Sequence, residues 1–236
     1  MSELIFIRHG QASFGKASYD KLSEKGVEQI KILARHWRAL GENFDCIYSG
    51  SLLRQRETAK DLLSLVKGQP QHATVNPAFN EYNGDPLIQV YLRDHATEDG
   101  YPPDLQWPIP DEKLFQKLFE AATARWISNS LSPGVQDRDF ELWQDFQHRV
   151  YTAVDKLMEQ HTDGSRVLVS TSGGVIAMVL QRVLQFPDEQ VISTNWMVRN
   201  SSVTRVKYGN GKLSMTQYNS LAHLEKAEYK ELVTYR

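Results

Sequence analysis

The sequence has one cysteine, Cys46, so no internal disulfide can form. That suits a reducing compartment, and a cytoplasmic location is expected. No apolar run approaches the roughly 18 residues of a membrane-spanning helix, so no membrane partner is expected. The opening Met1-Ser2-Glu3-Leu4 is too acidic, and the apolar run after it too short, for a secretory leader. There is no basic excess either: the formal net charge is −2, which argues against nucleic acid as a partner. Any anion site must therefore be a local cluster of arginines. Repeats and low-complexity segments are missing as well. His36, His72, His95, His148 and His161 lack the spacing of metal ligands, so neither a metal nor another cofactor is expected.

What is present is ordinary globular composition, 41% hydrophobic and 24% charged over 236 residues, enough for a sizeable core. Leu4, Ile5, Phe6 and Ile7 form a continuous apolar run, which reads as a buried strand. Residues 44–48 and 167–170 read the same way, and 75–79 as a short third strand. Ser23 with Glu24 starts a helix whose apolar positions Val27, Ile30, Leu33, Ala34 and Trp37 recur at helical spacing. Another helix is expected to carry Leu52, Ala59, Leu62, Leu63 and Val66 and to end at Gly68-Gln69-Pro70. Long helices are expected over 140–160 and from Gly173-Gly174 to Leu184, and a closing strand pair at 202–206 and 213–218. Residues 84–139 change character, with Pro86, Pro102, Pro103, Pro108, Pro110 and Pro133. They read as an insertion with one or two short helices around 112–128, within a single domain spanning 1–236, and the insertion is expected to cover the site. Alternating strands and helices predict an α/β fold: a three-layer α/β/α sandwich with a mostly parallel central sheet.

In such sheets ligands bind beyond the carboxyl ends of the strands. Three of those ends carry polar or glycine-rich tripeptides: Arg8-His9-Gly10, Ser49-Gly50-Ser51 and Thr171-Ser172-Gly173. Phosphoryl transfer without a metal needs a nucleophile, fixed cations and an acid for the leaving oxygen. A neutral imidazole such as His9 can take a phosphoryl group, and arginine is the natural clamp for its oxygens. Gly10 is expected to let the backbone swing so that Arg8 and His9 reach one pocket. Arg54 and Arg56 lie in the first turn of the second helix, where an anion is favoured. Glu81 is the best placed acid, with Glu57, Asp85 and Asp94 as alternatives.

Together, Leu4 to Gln11, Leu22-Ser23-Glu24-Lys25-Gly26, Arg54-Gln55-Arg56-Glu57-Thr58-Ala59, Glu81 and Val167 to Ile176 resemble the histidine phosphatase superfamily, also called phosphoglycerate-mutase-like. The blocks come in the right order over most of the chain, while 84–139 matches nothing usable. The resemblance implies that His9 becomes phosphorylated, that Arg8 and Arg54 hold the phosphoryl oxygens and that Glu81 is the proton donor, with Arg56 flanking. Ser172 and Gly173 would complete the phosphate site. Ser172 stands where the family usually has a second histidine, so the pocket lacks a cation there unless His223 refills the corner. The expected function is phosphomonoester hydrolysis of a small phosphorylated substrate through a phosphohistidine. The alternatives are a phosphoglycerate-type mutase and a catalytically quiet phosphate-binding module.

Three other readings fail on residues. The P-loop-like Gly10-Gln11-Ala12-Ser13-Phe14-Gly15-Lys16-Ala17 has Ala17 where a hydroxyl should hold magnesium. A cysteine phosphatase would need an arginine where Leu52 stands. A serine hydrolase would need glycine at Ser170.

Overall fold

In the computed structural model, which describes residues 1–13, 20–102, 104–105 and 108–235, the first apolar run is the middle of strand β1 (Ser2–Arg8). Lys16 and Ala17 of the P-loop-like stretch, and Trp107, lie outside the described residues. β1 pairs in parallel with β4 (Arg166–Thr171) and antiparallel with β5 (Val203–Gly209). A strand flanked on both sides and covered on both faces needs no polar alternation, and Leu4 to Ile7 are fully buried. β4 pairs on its other side with β2 (Cys46–Ser49), which carries the two-residue β3 (Thr74–Val75) at one edge. β6 (Lys212–Ser220) closes the other edge, giving the order β3-β2-β4-β1-β5-β6. The first four are parallel, so the mostly parallel α/β sheet read from the sequence is correct.

Helix α1 (Glu24–Ala39) starts at Ser23, whose side chain accepts from the Gly26 N–H. Glu24 in its first turn and His36 and Arg38 in its last suit the helix dipole. Its Ile30, Leu33, Ala34 and Trp37 pack with Ile5, Ile7, Ile47 and Leu168 of the sheet and with Ala59 and Leu62 of α2 (Leu53–Leu62). Each large aliphatic side chain so buried contributes about 1.5–3 kcal/mol. Leu4, Phe6, Val167 and Val169 alternate with that set and are buried equally, so the opposite face is covered too. There lies α6 (Gly173–Leu184), with every residue from Gly173 to Gln181 buried. Tyr151 Oη donates to Gln181 Oε1 at 2.9 Å, which ties α6 to α5 (Trp143–Gln160).

The chain divides into two compact units, Met1–Glu81 with Arg149–Arg236, and Tyr82–His148. The smaller unit holds α3 (Gly84–Asp94), α4 (Glu112–Ile127) and the first turn of α5. Its aromatic centre sets Trp126 edge-on to Trp143 at 4.9 Å, with Tyr82 5.4 Å from Phe146. Helix α3 went unread because Gly84 and Pro86 look like breaks. They occupy the first turn, where the backbone N–H groups have no helical partner and proline is tolerated. The third strand is shorter than expected. Pro77 offers no N–H to a ladder, and Asn76 accepts from Ala78 N, turning Pro77–Phe79 into a 3-10 helix. Helix α7 (Glu189–Met197) was missed because it buries only Val191 and Ile192 among polar residues.

Candidate functional site

Register brings the polar strand ends together. Arg8 lies opposite Thr171, and Ser49 opposite Ser170, so His9, Ser172 and Gly50 emerge side by side at one edge of the sheet. His9 N donates to Thr171 O at 2.9 Å, and Gly50 N to Ser170 O at 3.2 Å.

The His9 ring is 6% exposed. Nδ1 lies 2.7 Å from Gly10 O, so the proton sits on Nδ1 and the lone pair on Nε2. Nε2 accepts from Arg54 Nε at 3.1 Å. Burial, then the charges of Arg54 and Arg8, push the imidazole pKa well below its ordinary value, and the bond to Gly10 O opposes this only in part. The ring is therefore a neutral imidazole held in one tautomer, with an Nε2 lone pair able to act as a nucleophile. Its backbone is clamped as well: Asn200 Nδ2 donates to His9 O at 3.2 Å, Ser201 N to Arg8 O at 3.1 Å, and Gly10 N to Thr58 Oγ1 at 3.1 Å. Gly10 is needed for a reason other than the expected swing of the chain. A Cβ there would stand 2.4 Å from Gly26 O, because the loop after β1 crosses the start of α1 at backbone distance.

Arg54 sits in the first turn of α2, and its Nη1 pairs with Asp20 Oδ1 at 2.5 Å. The other oxygen of Asp20 accepts from Leu53 N at 2.6 Å, so one carboxylate both caps the helix and aims the guanidinium. Arg8 donates through Nη1 to Val198 O. Arg56 points elsewhere, into a cavity lined by Ser49, Glu57, Lys60 and His72.

Glu81 Oε2 accepts from Gly174 N at 3.0 Å, at the N-terminus of α6. Of the alternative acids, Glu57 accepts from Leu22 N, and Asp94 is paired with Arg93. Gly173 opens α6, and a Cβ there would lie 2.2 Å from Asn195 Oδ1. Ser172 is fully buried, and its Oγ accepts from Gln55 Nε2 at 2.8 Å. The expectation that His223 might refill this corner is not met. Its Nε2 lies 2.9 Å from Ser201 Oγ, its ring stands beside His36, and burial and His36 lower its pKa to about 3.

Asp20, Gln55, Thr58 and Asn200 were not foreseen, and no local pattern marks them. Gln55 and Thr58 belonged to a recognised block, but no role was read for either. Among the described residues no group of three His, Cys, Asp or Glu side chains gathers to hold a metal, and no helix is long and apolar enough to cross a membrane. The site thus offers a buried neutral imidazole, two arginines beside it and a carboxylate anchored at a helix end.

A family model described as histidine phosphatase superfamily (branch 1) matches residues 4–114 and 109–221. A 2,3-bisphosphoglycerate-dependent phosphoglycerate mutase from Histophilus somni is 22% identical over 214 residues, covering 81% of this chain and 88% of that protein. A phosphoserine phosphatase mutant from Entamoeba histolytica, solved with phosphoserine, shares the fold at TM-score 0.62 and 18% identity, over 95% of this chain and all (100%) of that one. A phosphoglycerate mutase from Bacillus anthracis does so at TM-score 0.64 and 22% identity, over 94% of each chain.

Proposed function

The chain belongs to the histidine phosphatase superfamily (branch 1), and from that premise we propose that it is a phosphomonoester hydrolase working through a phosphohistidine on His9. The observation that carries this reading is the tautomer of His9: Nδ1–H is held by Gly10 O, and the Nε2 lone pair faces Arg54. Nε2 attacks phosphorus in line, and the ester P–O bond breaks. Arg8 and Arg54 hold the phosphoryl oxygens, joined by the Ser172 hydroxyl and the helix end at Gly173. Glu81 protonates the leaving alcohol, then takes a proton from the water that releases phosphate. Arginines and a helix end supply the positive charge, so the reaction needs no metal.

We read residues 1–236 as one catalytic domain with 84–139 inserted, acting in the cytoplasm on a small phosphorylated metabolite. The lone Cys46 supports that compartment. A mutase is the second reading, favoured by relatives such as the Histophilus somni enzyme.

The test is a panel of phosphomonoesters including phosphoserine, the phosphoglycerates and an aryl phosphate, run with and without EDTA, with quenching in base during turnover. A base-stable, acid-labile phosphate should be found on His9, and activity should survive chelation. Label on another residue, or none during measurable turnover, removes the mechanism. Interconversion of phosphoglycerates without phosphate release would establish the mutase. Binding without any hydrolysis would establish a quiet module.

A further inference from the structure

Glu81 follows a short segment whose main chain is gripped from several elements. Arg149, on α5, donates through Nη1 to two carbonyls, Ala78 O at 2.7 Å and Asn80 O at 2.9 Å. The carbonyl between them, Phe79 O, accepts from Gln55 Nε2 at 3.0 Å and Thr171 Oγ1 at 2.6 Å. The Asn80 side chain is itself fixed to Ser51, accepting from Ser51 N at 2.7 Å and donating to Ser51 Oγ at 2.8 Å. Three successive carbonyls before the candidate acid therefore all receive side-chain donors. Arg149 is the charged donor among them, and charge-assisted hydrogen bonds are about twice as strong as neutral ones.

We propose that Arg149 is a positioning residue for the proton-transfer step, setting where the Glu81 carboxyl stands by holding the carbonyls of Ala78 and Asn80. The proposal rests on the reading of Glu81 as the proton donor. Two anchors define that carboxyl. Its Oε2 is tied to Gly174 N, and the peptide entering Glu81 is tied to Arg149 through Asn80 O. Without Arg149 the segment keeps its grip at Phe79 and at the Asn80 side chain, so it stays in place but can pivot. A displacement of the carboxyl by about 1 Å is enough to misalign a proton transfer. A mere structural strut would instead affect every step of the reaction alike.

Leaving-group chemistry separates the two. Nitrophenolate departs without a proton, whereas an alkoxide needs one, and kcat/KM reports phosphoryl transfer to His9 without the later hydrolysis. The measurement is kcat/KM for p-nitrophenyl phosphate and for the alkyl phosphate turned over fastest in the panel, in the full chain and in Arg149→Met, Arg149→Lys and Glu81→Gln. The alkyl-to-aryl ratio should fall about tenfold or more in Arg149→Met, since misplacing a catalytic group costs up to about a hundredfold. It should recover partly in Arg149→Lys, whose ammonium can still reach a carbonyl. If Arg149→Met does not fold, an intermediate ratio in Arg149→Lys decides the matter. A parallel fall on both substrates, with the ratio unchanged, overturns the proposal while leaving Glu81 as the acid, provided that Glu81→Gln lowers the ratio. A flat ratio in Glu81→Gln overturns both.

Discussion

Replacing Ser172 by histidine tests the corner where this chain departs from its family, and the structure makes the outcome depend on Gln55. The Ser172 side chain is fully buried, with Gln55 Nε2 2.8 Å from its oxygen and Gln55 itself also fully buried. An imidazole at 172 needs the space that the Gln55 carboxamide fills. Ser172→His alone should therefore overpack the site, costing about 1–3 kcal/mol of stability and lowering activity. Gln55→Ala removes as many side-chain atoms as the histidine adds. It strips no carbonyl bare, because Phe79 O keeps Thr171 Oγ1. In the double variant the histidine should fit and, when protonated, bring a charged donor to the phosphoryl group. A charge-assisted hydrogen bond exceeds a neutral one by about 1–2 kcal/mol, so kcat/KM should rise about tenfold above the parent. Chemical denaturation of all four proteins gives the stability cycle, and aryl phosphate hydrolysis the rates. The two sites should couple by about 1 kcal/mol or more, with the double variant more stable than the sum of the singles. Additive stabilities, or a Ser172→His single variant as stable as the parent and faster, would refute the claim that Gln55 occupies the missing histidine's place.

Arg54→Ala should lower kcat/KM about a hundredfold or more, since a fixed donor to the transition-state charge is lost, whereas Arg56→Ala should cost little because its side chain lines another cavity. Equal losses at both sites would mean that the helix turn carrying the phosphate clamp is misassigned. Nitrogen NMR of the imidazoles should find that His9 stays neutral, with its proton on Nδ1, as the pH falls through the range in which the exposed His72 takes up its second proton. A His9 ring that becomes doubly protonated along with the exposed imidazoles would refute the account of its burial between two arginines. His223 titrates near 3 when folded and near 6.5 when unfolded, so the unfolded chain takes its proton first as pH falls. Stability from this group is intact above about pH 6.5 and is lost on the way down toward pH 3, by about 2 kcal/mol at pH 5. His223→Gln should shrink the loss of stability between pH 7 and pH 5 by about that amount, as read by calorimetry, and an unchanged loss would place the acid sensitivity elsewhere.

Local sequence determined a good deal. The run from Leu4 to Ile7 read as a strand buried on both faces, because it has no polar alternation and ends at the polar Arg8 and His9. The helical spacing of Ile30, Leu33 and Trp37 had to face a core. His9 just past β1 and Arg54 in the first turn of α2 stand at positions that a short window reveals, whereas Glu81 was picked out as the end of a strand that in fact stops at Val75. Tertiary structure decided how these groups are aimed. Gln55 and Ser172 meet across 117 positions of chain because β4 lies between β1 and β2 in this register, and nothing near either residue specifies that order. The same holds for Asp20 on Arg54, for Asn200 on the backbone of His9 and for Arg149 on the carbonyls before Glu81. Even Gly10, conspicuous in the sequence, owes its necessity to the approach of Gly26, a contact between backbones. Periodicity and motif are short-range properties of a chain. The partners that fix a side chain's direction, tautomer and charge come from remote segments, and only packing of the sheet and its helices brings them within hydrogen-bonding distance.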